Sequence, residues 1–265
     1  MNMVRQSLQR IARLIGLEIG ENGKKALISA LGIFGIFIAL SMVSWLVDNG
    51  RQVDGAEYTL FTLIFGLVLT GSSFTRQRGS ASHMEYLLRP AFSFEKMLSK
   101  IAVTALGYWL LMSLLYIASL VILYFAALII GVEGTHFPSQ FGKLLLDTLY
   151  LYLPVNALFL FGSVYFEKNS IGKVLLSLAV FAIALVVVSG LAGRVIFAQY
   201  FQNPDIFNQV QNEIARQSGD DPEQFFIALF GFSPVLIFTL RHLLTALWII
   251  GLWTLSWLRL RETEA

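Results

Sequence analysis

The side chains that could carry chemistry are few and scattered along the chain. There are three histidines, His83, His136 and His242, no cysteine, and one pair of adjacent carboxylates, Asp220 and Asp221. Without cysteine there is no disulfide, no thiolate metal site and no cysteine nucleophile. The topology derived below distributes the histidines among an inner loop, an outer loop and a span, so they supply no metal triad. Asp221 stands directly before Pro222, where the start of a helix accounts for the paired carboxylates. No Gly-x-x-x-x-Gly-Lys-Ser/Thr run occurs, so ATP has no phosphate loop to occupy by the usual route. The sequence predicts no catalytic residue, no metal site and no cofactor bound by this chain.

Three polar side chains interrupt apolar runs instead, and an ionisable or amide group at membrane depth is a candidate for a substrate path. They are Asn156, Arg194 and Arg241. Arg194 lies about 8 Å of helical rise before Gln199, close enough to the end of its run to snorkel to outer headgroups or to meet Asp205. Arg241 and His242 stand one to two turns into a final helix that starts at Pro234, and the same outer-interface placement applies. Pro154 and Asn156 predict a kink with a polar side chain inside the bundle, either satisfying a freed carbonyl or touching cargo.

The elements that must position these groups are membrane-crossing helices. Hydrophobic residues make up 56% of the 265 and the mean hydropathy is +0.69. The apolar residues gather into runs at about 26–47, 58–74, 101–131, 144–166, 174–199 and 225–258, and a crossing helix needs about 20 such residues. The first run is too long for a signal-peptide core of about 7–15 residues. The last is broken by Gly231 and Pro234, so residues 222–231 read as an interfacial or re-entrant half-helix, with Ser233 before Pro234 as the start of the final span. The expected fold is all-α: one membrane domain over 1–265, six transmembrane helices, an amino-terminal interfacial helix and a broken helix before the last span.

Lysine and arginine set the orientation. With both termini in the cytoplasm, fourteen of the 19 basic residues fall on inner segments, and the outer ones are acidic. The net charge of +2 is thereby absorbed by topology and gives no reason to expect a nucleic-acid partner. Connections between spans are each under about 30 residues, too short for an independent core. The outer segment 200–224 contains Ile206, Val210 and Ile214 at helical spacing, which predicts a short surface helix.

Two inner segments have patterns of their own. In residues 1–22, Val4, Leu8, Ile11 and Ile15 share one helical face opposite Arg5, Gln9, Arg10 and Arg13, as in a helix lying on anionic lipid headgroups. Gly20 to Gly23 would then allow a turn into the first span. In residues 75–100, Ser82 and Glu85 form a capping box ahead of Tyr86, Leu87 and Leu88; Pro90 ends that helix. Ser93 can cap a second helix, with Glu95 in its first turn, running straight into the third span. Leu87, Leu88, Phe92 and Phe94 sit among Glu85, Arg89 and Glu95, more apolar surface than a solvent loop has use for. The short inner segment 167–173 is either a second contact or a tight turn.

The order Gly79, Glu85, Leu87–Leu88, Pro90, Ser93 and Lys100 leading into a span resembles the first inner loop of the permease subunits of type-two ABC exporters. The resemblance is sharp over about residues 75–105. Phe94-Glu95 and Ser99 depart from it, standing where many members have a basic residue and a glycine. It implies a six-span subunit with an elbow helix, paired with a second permease in a homodimer or heterodimer. A separate cytoplasmic ATPase would bind ATP and Mg and dock on Glu85, Leu87, Leu88, Arg89, Pro90, Phe92, Phe94 and Glu95. It also implies location in the cell's inner membrane, among lipids. The alternative is a membrane anchor or regulatory subunit that transports nothing and uses the same surfaces for docking.

Overall fold

The computed structural model describes residues 2–47, 55–74, 91–130, 141–166, 169–196 and 233–264. Glu85 to Pro90, the outer segment 200–224 and the half-helix 222–231 lie outside them, and so do the expectations placed there. Among the described residues all the elements are helices: α1 (Asn2–Val47), α2 (Ala56–Gly71), α3 (Ser93–Ile101), α4 (Tyr108–Ile130), α5 (Phe141–Tyr165), α6 (Ser170–Ile196) and α7 (Pro234–Glu264). A π-helical segment, Ala102–Gly107, joins α3 to α4 without a break.

Among the described residues four helices are long and apolar enough to cross a membrane, those at 93–129, 141–165, 170–192 and 234–262, so the protein is a helical one built for a bilayer. The apolar stretches Ile28–Val43 and Ala56–Gly71 are shorter, and 16 residues rise only about 24 Å against a hydrocarbon core of about 30 Å. Among the described residues, length and composition therefore give four crossings where the sequence predicts six. The helix from Ser93 spans 37 residues, about 55 Å, so it is longer than a bilayer is thick, as expected.

Two local expectations are corrected. No turn separates the amino-terminal amphipathic segment from the first apolar run: α1 stays helical through Gly20, Glu21, Asn22 and Gly23 for 46 residues. A glycine inside a helix costs about 1 kcal/mol, a penalty the flanking turns absorb. Phe92, in extended backbone at φ −67° and ψ 149°, takes the N-cap position of α3 in place of Ser93. A phenyl ring accepts no hydrogen bond, so only the return half of a capping box exists: the Phe92 amide donates to Glu95 Oε2 at 3.3 Å. At α7 the expected cap holds, with the Leu236 amide donating to Ser233 Oγ at 3.2 Å and Pro234 in the first turn.

The chain divides into two units, residues 1–171 with 251–265, and residues 172–250. In the first, α2 lies along α5 and α1 along α3 and α4. Its main core is aromatic: Phe37, Tyr58, Tyr108, Met112, Tyr116, Leu120, Leu123 and Tyr152 are buried together. Tyr58 stacks on Tyr116 with ring centroids 4.9 Å apart, and Phe37 meets Phe61 edge-on at 5.6 Å. Gly66 is the close-approach point; a methyl there would overlap the Tyr152 ring and lie 2.9 Å from Tyr108 Cε1. A second core near Ser93 gathers Phe74, Met97, Leu160, Val164 and Leu260, flanked by Trp253 and Trp257. The second unit holds most of α6 and the first turns of α7, and its large side chains, Val180, Phe181, Ile183 and Val186 among them, are exposed.

Candidate functional site

The Ser93 end of the first unit is built around one carboxylate. Glu95 is 3% exposed, and a buried carboxylate costs several kcal/mol unless donors surround it. Three donors do so: Ser7 Oγ at 2.7 Å, Arg10 Nε at 3.5 Å and the Phe92 amide at 3.3 Å. Two of the three come from α1, so the amphipathic segment is tied to the start of α3. The Arg10 guanidinium also lies over the Phe92 ring, 5.4 Å from its centroid. Phe92 and Phe94 remain exposed at 67% and 56%, as the loop pattern predicts, and Phe94 meets Trp257 edge-on at 6.1 Å. Arg259 lies over Tyr165, 5.5 Å from the ring centroid. Of the eight residues assigned to the docking loop, Phe92, Phe94 and Glu95 fall in this cluster, while Glu85, Leu87, Leu88, Arg89 and Pro90 lie outside the described residues.

Of the inner segment 167–173, residues 167 and 168 lie outside the described residues. Asn169 takes φ 54°, the left-handed conformation that asparagine tolerates better than most residues. Ser170 Oγ then donates to the Gly71 carbonyl at 2.5 Å, fixing the start of α6 to the end of α2.

Deeper in the same unit runs a polar seam. Asn156 is fully buried and donates through Nδ2 to Thr70 Oγ1 at 2.8 Å and to Tyr152 Oη at 3.1 Å. Tyr152 Oη donates in turn to the Thr104 carbonyl at 2.6 Å. Asn156 thus reaches across to Thr70 on α2 and along its own helix to Tyr152, and not to a carbonyl freed by Pro154. Beside this chain, Tyr108 Oη donates to the Thr62 carbonyl at 3.1 Å, and Tyr58 Oη pairs with Ser113 Oγ at 2.8 Å. Asn156 Oδ1 has no hydrogen-bond partner among the described residues.

The other two path candidates lie in the second unit. Arg194 is exposed on the last turn of α6, and Arg241 is exposed in α7, next to His242, whose Nδ1 is 2.8 Å from the Phe238 carbonyl. Of the three candidates, only Asn156 is therefore part of a buried polar assembly. No cluster of metal-binding side chains occurs among the described residues.

Sequence reasoning missed Ser7 and Arg10 as partners of Glu95, Thr70 and Tyr152 as partners of Asn156, and Thr104 as the partner of Tyr152. The second set carried a signal: Tyr152 and Asn156 are four residues apart, hence on one helix face. The first had none, because it depends on how the amphipathic segment docks. Comparison of the chain with protein families, with curated proteins and with solved structures returns no match.

Proposed function

We propose that the chain is the permease subunit of an ATP-driven exporter of the ABC type, working with a second permease and a separate cytoplasmic ATPase that holds ATP and Mg. The observation that carries this reading is the helix from Ser93: it outreaches a bilayer, ends in exposed Phe92 and Phe94, and is anchored through Glu95 to α1. A stiff helix with an apolar tip beyond the membrane is what a lever needs to receive a push from a partner. Closure of two ATPase subunits would press on residues 85–95 and tilt the permease pair between inward- and outward-facing states. In this reading the chain crosses the inner membrane six times, with 26–47 and 58–74 as its shorter crossings and both termini in the cytoplasm.

Replacing Leu87 and Leu88 with Asp should abolish ATPase association while membrane insertion stays intact. Association at wild-type strength in that variant would remove the docking role from the loop. Because the chain lacks cysteine, single cysteines placed near each terminus report sidedness cleanly, and both should react only with permeant reagents in sealed cells.

One observation favours the anchor reading. The exposed faces of α6 are almost uniformly apolar, with Ser177 and Ser189 the only hydroxyls between Val174 and Ala192, and a transport seam would carry more polar groups. Arg194→Ala tests whether that residue belongs to a path. Loss of cargo-stimulated ATP turnover in a normally assembled complex would place Arg194 in the path, whereas unchanged turnover fits an arginine that snorkels.

A further inference from the structure

The π segment sits where the polar seam meets the helix from Ser93. In an α-helix the Tyr108 amide would bond the Thr104 carbonyl four residues back; here it bonds Val103 O, five back, and Ala105 O. The Thr104 carbonyl is passed over by the amide that α pairing would bring to it. It is this oxygen, 3% exposed at residue level, that accepts the Tyr152 hydroxyl at 2.6 Å, the shortest bond in the seam. A carbonyl left without its helical donor at membrane depth costs free energy unless another donor reaches it. Tyr152 is that donor, and its own hydroxyl is held by Asn156, which Thr70 holds from α2.

We propose that Ala102–Gly107 is a register switch, kept in its π form by the Tyr152 hydroxyl. The π turn accommodates one residue more than α geometry would. If Tyr152 withdraws, the Thr104 carbonyl recovers its partner by reverting to α pairing, and α3 must then turn about 100° and move about 1.5 Å relative to α4. That rotation has a defined consequence. Glu95, Lys96, Met97, Ser99 and Lys100 form the buried face of α3, while Phe94 and Leu98 point outward. A slip of one residue carries Glu95 away from Ser7 and Arg10 and releases α1 from the Ser93 end. The seam among α2, α5 and the π segment thereby governs the docking of the amphipathic segment some three turns away. The proposal does not depend on the transport reading, since it concerns the helix itself.

The test uses single cysteines, spin-labelled one at a time in the otherwise cysteine-free chain, at each position from Ser93 to Ile101 and from Tyr108 to Leu114. Accessibility to a water-soluble paramagnetic reagent and to oxygen gives the exposed positions of each half. In the wild-type background the α3 maxima should fall at Phe94 and Leu98. In Tyr152→Phe the α3 pattern should move by one residue while that of Tyr108–Leu114 stays in place; an unmoved α3 pattern would overturn the proposal. Deleting Gly107 from Tyr152→Phe removes the extra residue and should return the α3 maxima to Phe94 and Leu98. Failure to return would equally overturn it. Should Tyr152→Phe not fold alone, the deletion in both backgrounds still decides the matter: both proteins should fold with the wild-type pattern, and a displaced pattern in either would contradict an inserted register.

Discussion

The two units of this chain use apolar sequence in opposite ways. In the helix from Ser93, 39% of the most apolar stretch is buried; in α6, which lies almost wholly in the second unit, the figure is 6%. The first unit spends its buried positions on tyrosine, threonine, serine and asparagine arranged so that hydroxyls and amides meet carbonyls on neighbouring helices. In the second, apolar side chains face outward along α6 from Leu175 to Ala192. Within a bilayer the hydrophobic effect does not draw helices together, because lipid tails are as apolar as leucine. Packing and hydrogen bonds must do so, which is why the unit with internal contacts is the one carrying polar side chains and a glycine at its closest approach.

Substitutions in the first unit should separate sharply from those in the second. Gly66→Leu drives a side chain into the Tyr152 and Tyr108 rings and should destabilise the fold by about 3 kcal/mol, read as a fall in the detergent-unfolding midpoint. Arg10→Ala and Ser7→Ala each remove a donor from the buried Glu95 carboxylate and should cost about 1.5–3 kcal/mol. Because Arg10 is 39% exposed, its effect belongs at the lower end. Crosslinking between α1 and α3 should fall in parallel. Asn156→Leu removes two intramembrane hydrogen bonds and should cost about 1–2 kcal/mol by the same midpoint measurement. Val186→Ala and Leu176→Ala on exposed faces of α6 should stay within about 0.5 kcal/mol. A large loss at those two positions would mean that the second unit is packed against something in the assembled protein, and the comparison would have to be redrawn.

Much of the helical framework was legible in the residues. The run from Ile101, the caps at Ser233-Pro234 and the outward Phe92 and Phe94 follow from local rules of capping and length. The span count followed less well, since Ala56–Gly71 is largely apolar yet short, and composition does not reveal how a short helix meets a bilayer. The break expected at Gly20–Gly23 failed because glycine only weakens a helix, and neighbouring turns decide whether it continues. Asn156 was recognisable as an inward polar group from its place beside Pro154. The seam around it was not, because Thr70, which Asn156 bonds, and Thr104, which Tyr152 bonds, are ordinary helix residues until α2, α5 and the π segment are brought together. Ser7 and Arg10 read as a lipid-facing polar face; their engagement with Glu95 depends on tertiary docking that no local pattern encodes.

The measurement that bears most directly on the account is purification of the intact chain in mild detergent from its own membrane, with identification of the proteins that accompany it and assay of ATP hydrolysis. The account predicts a stoichiometric soluble subunit carrying a phosphate-binding loop, with ATP turnover that is lost when Leu87 and Leu88 are replaced by Asp. Recovery with other membrane subunits and no ATPase would contradict the permease reading and leave the anchor in its place.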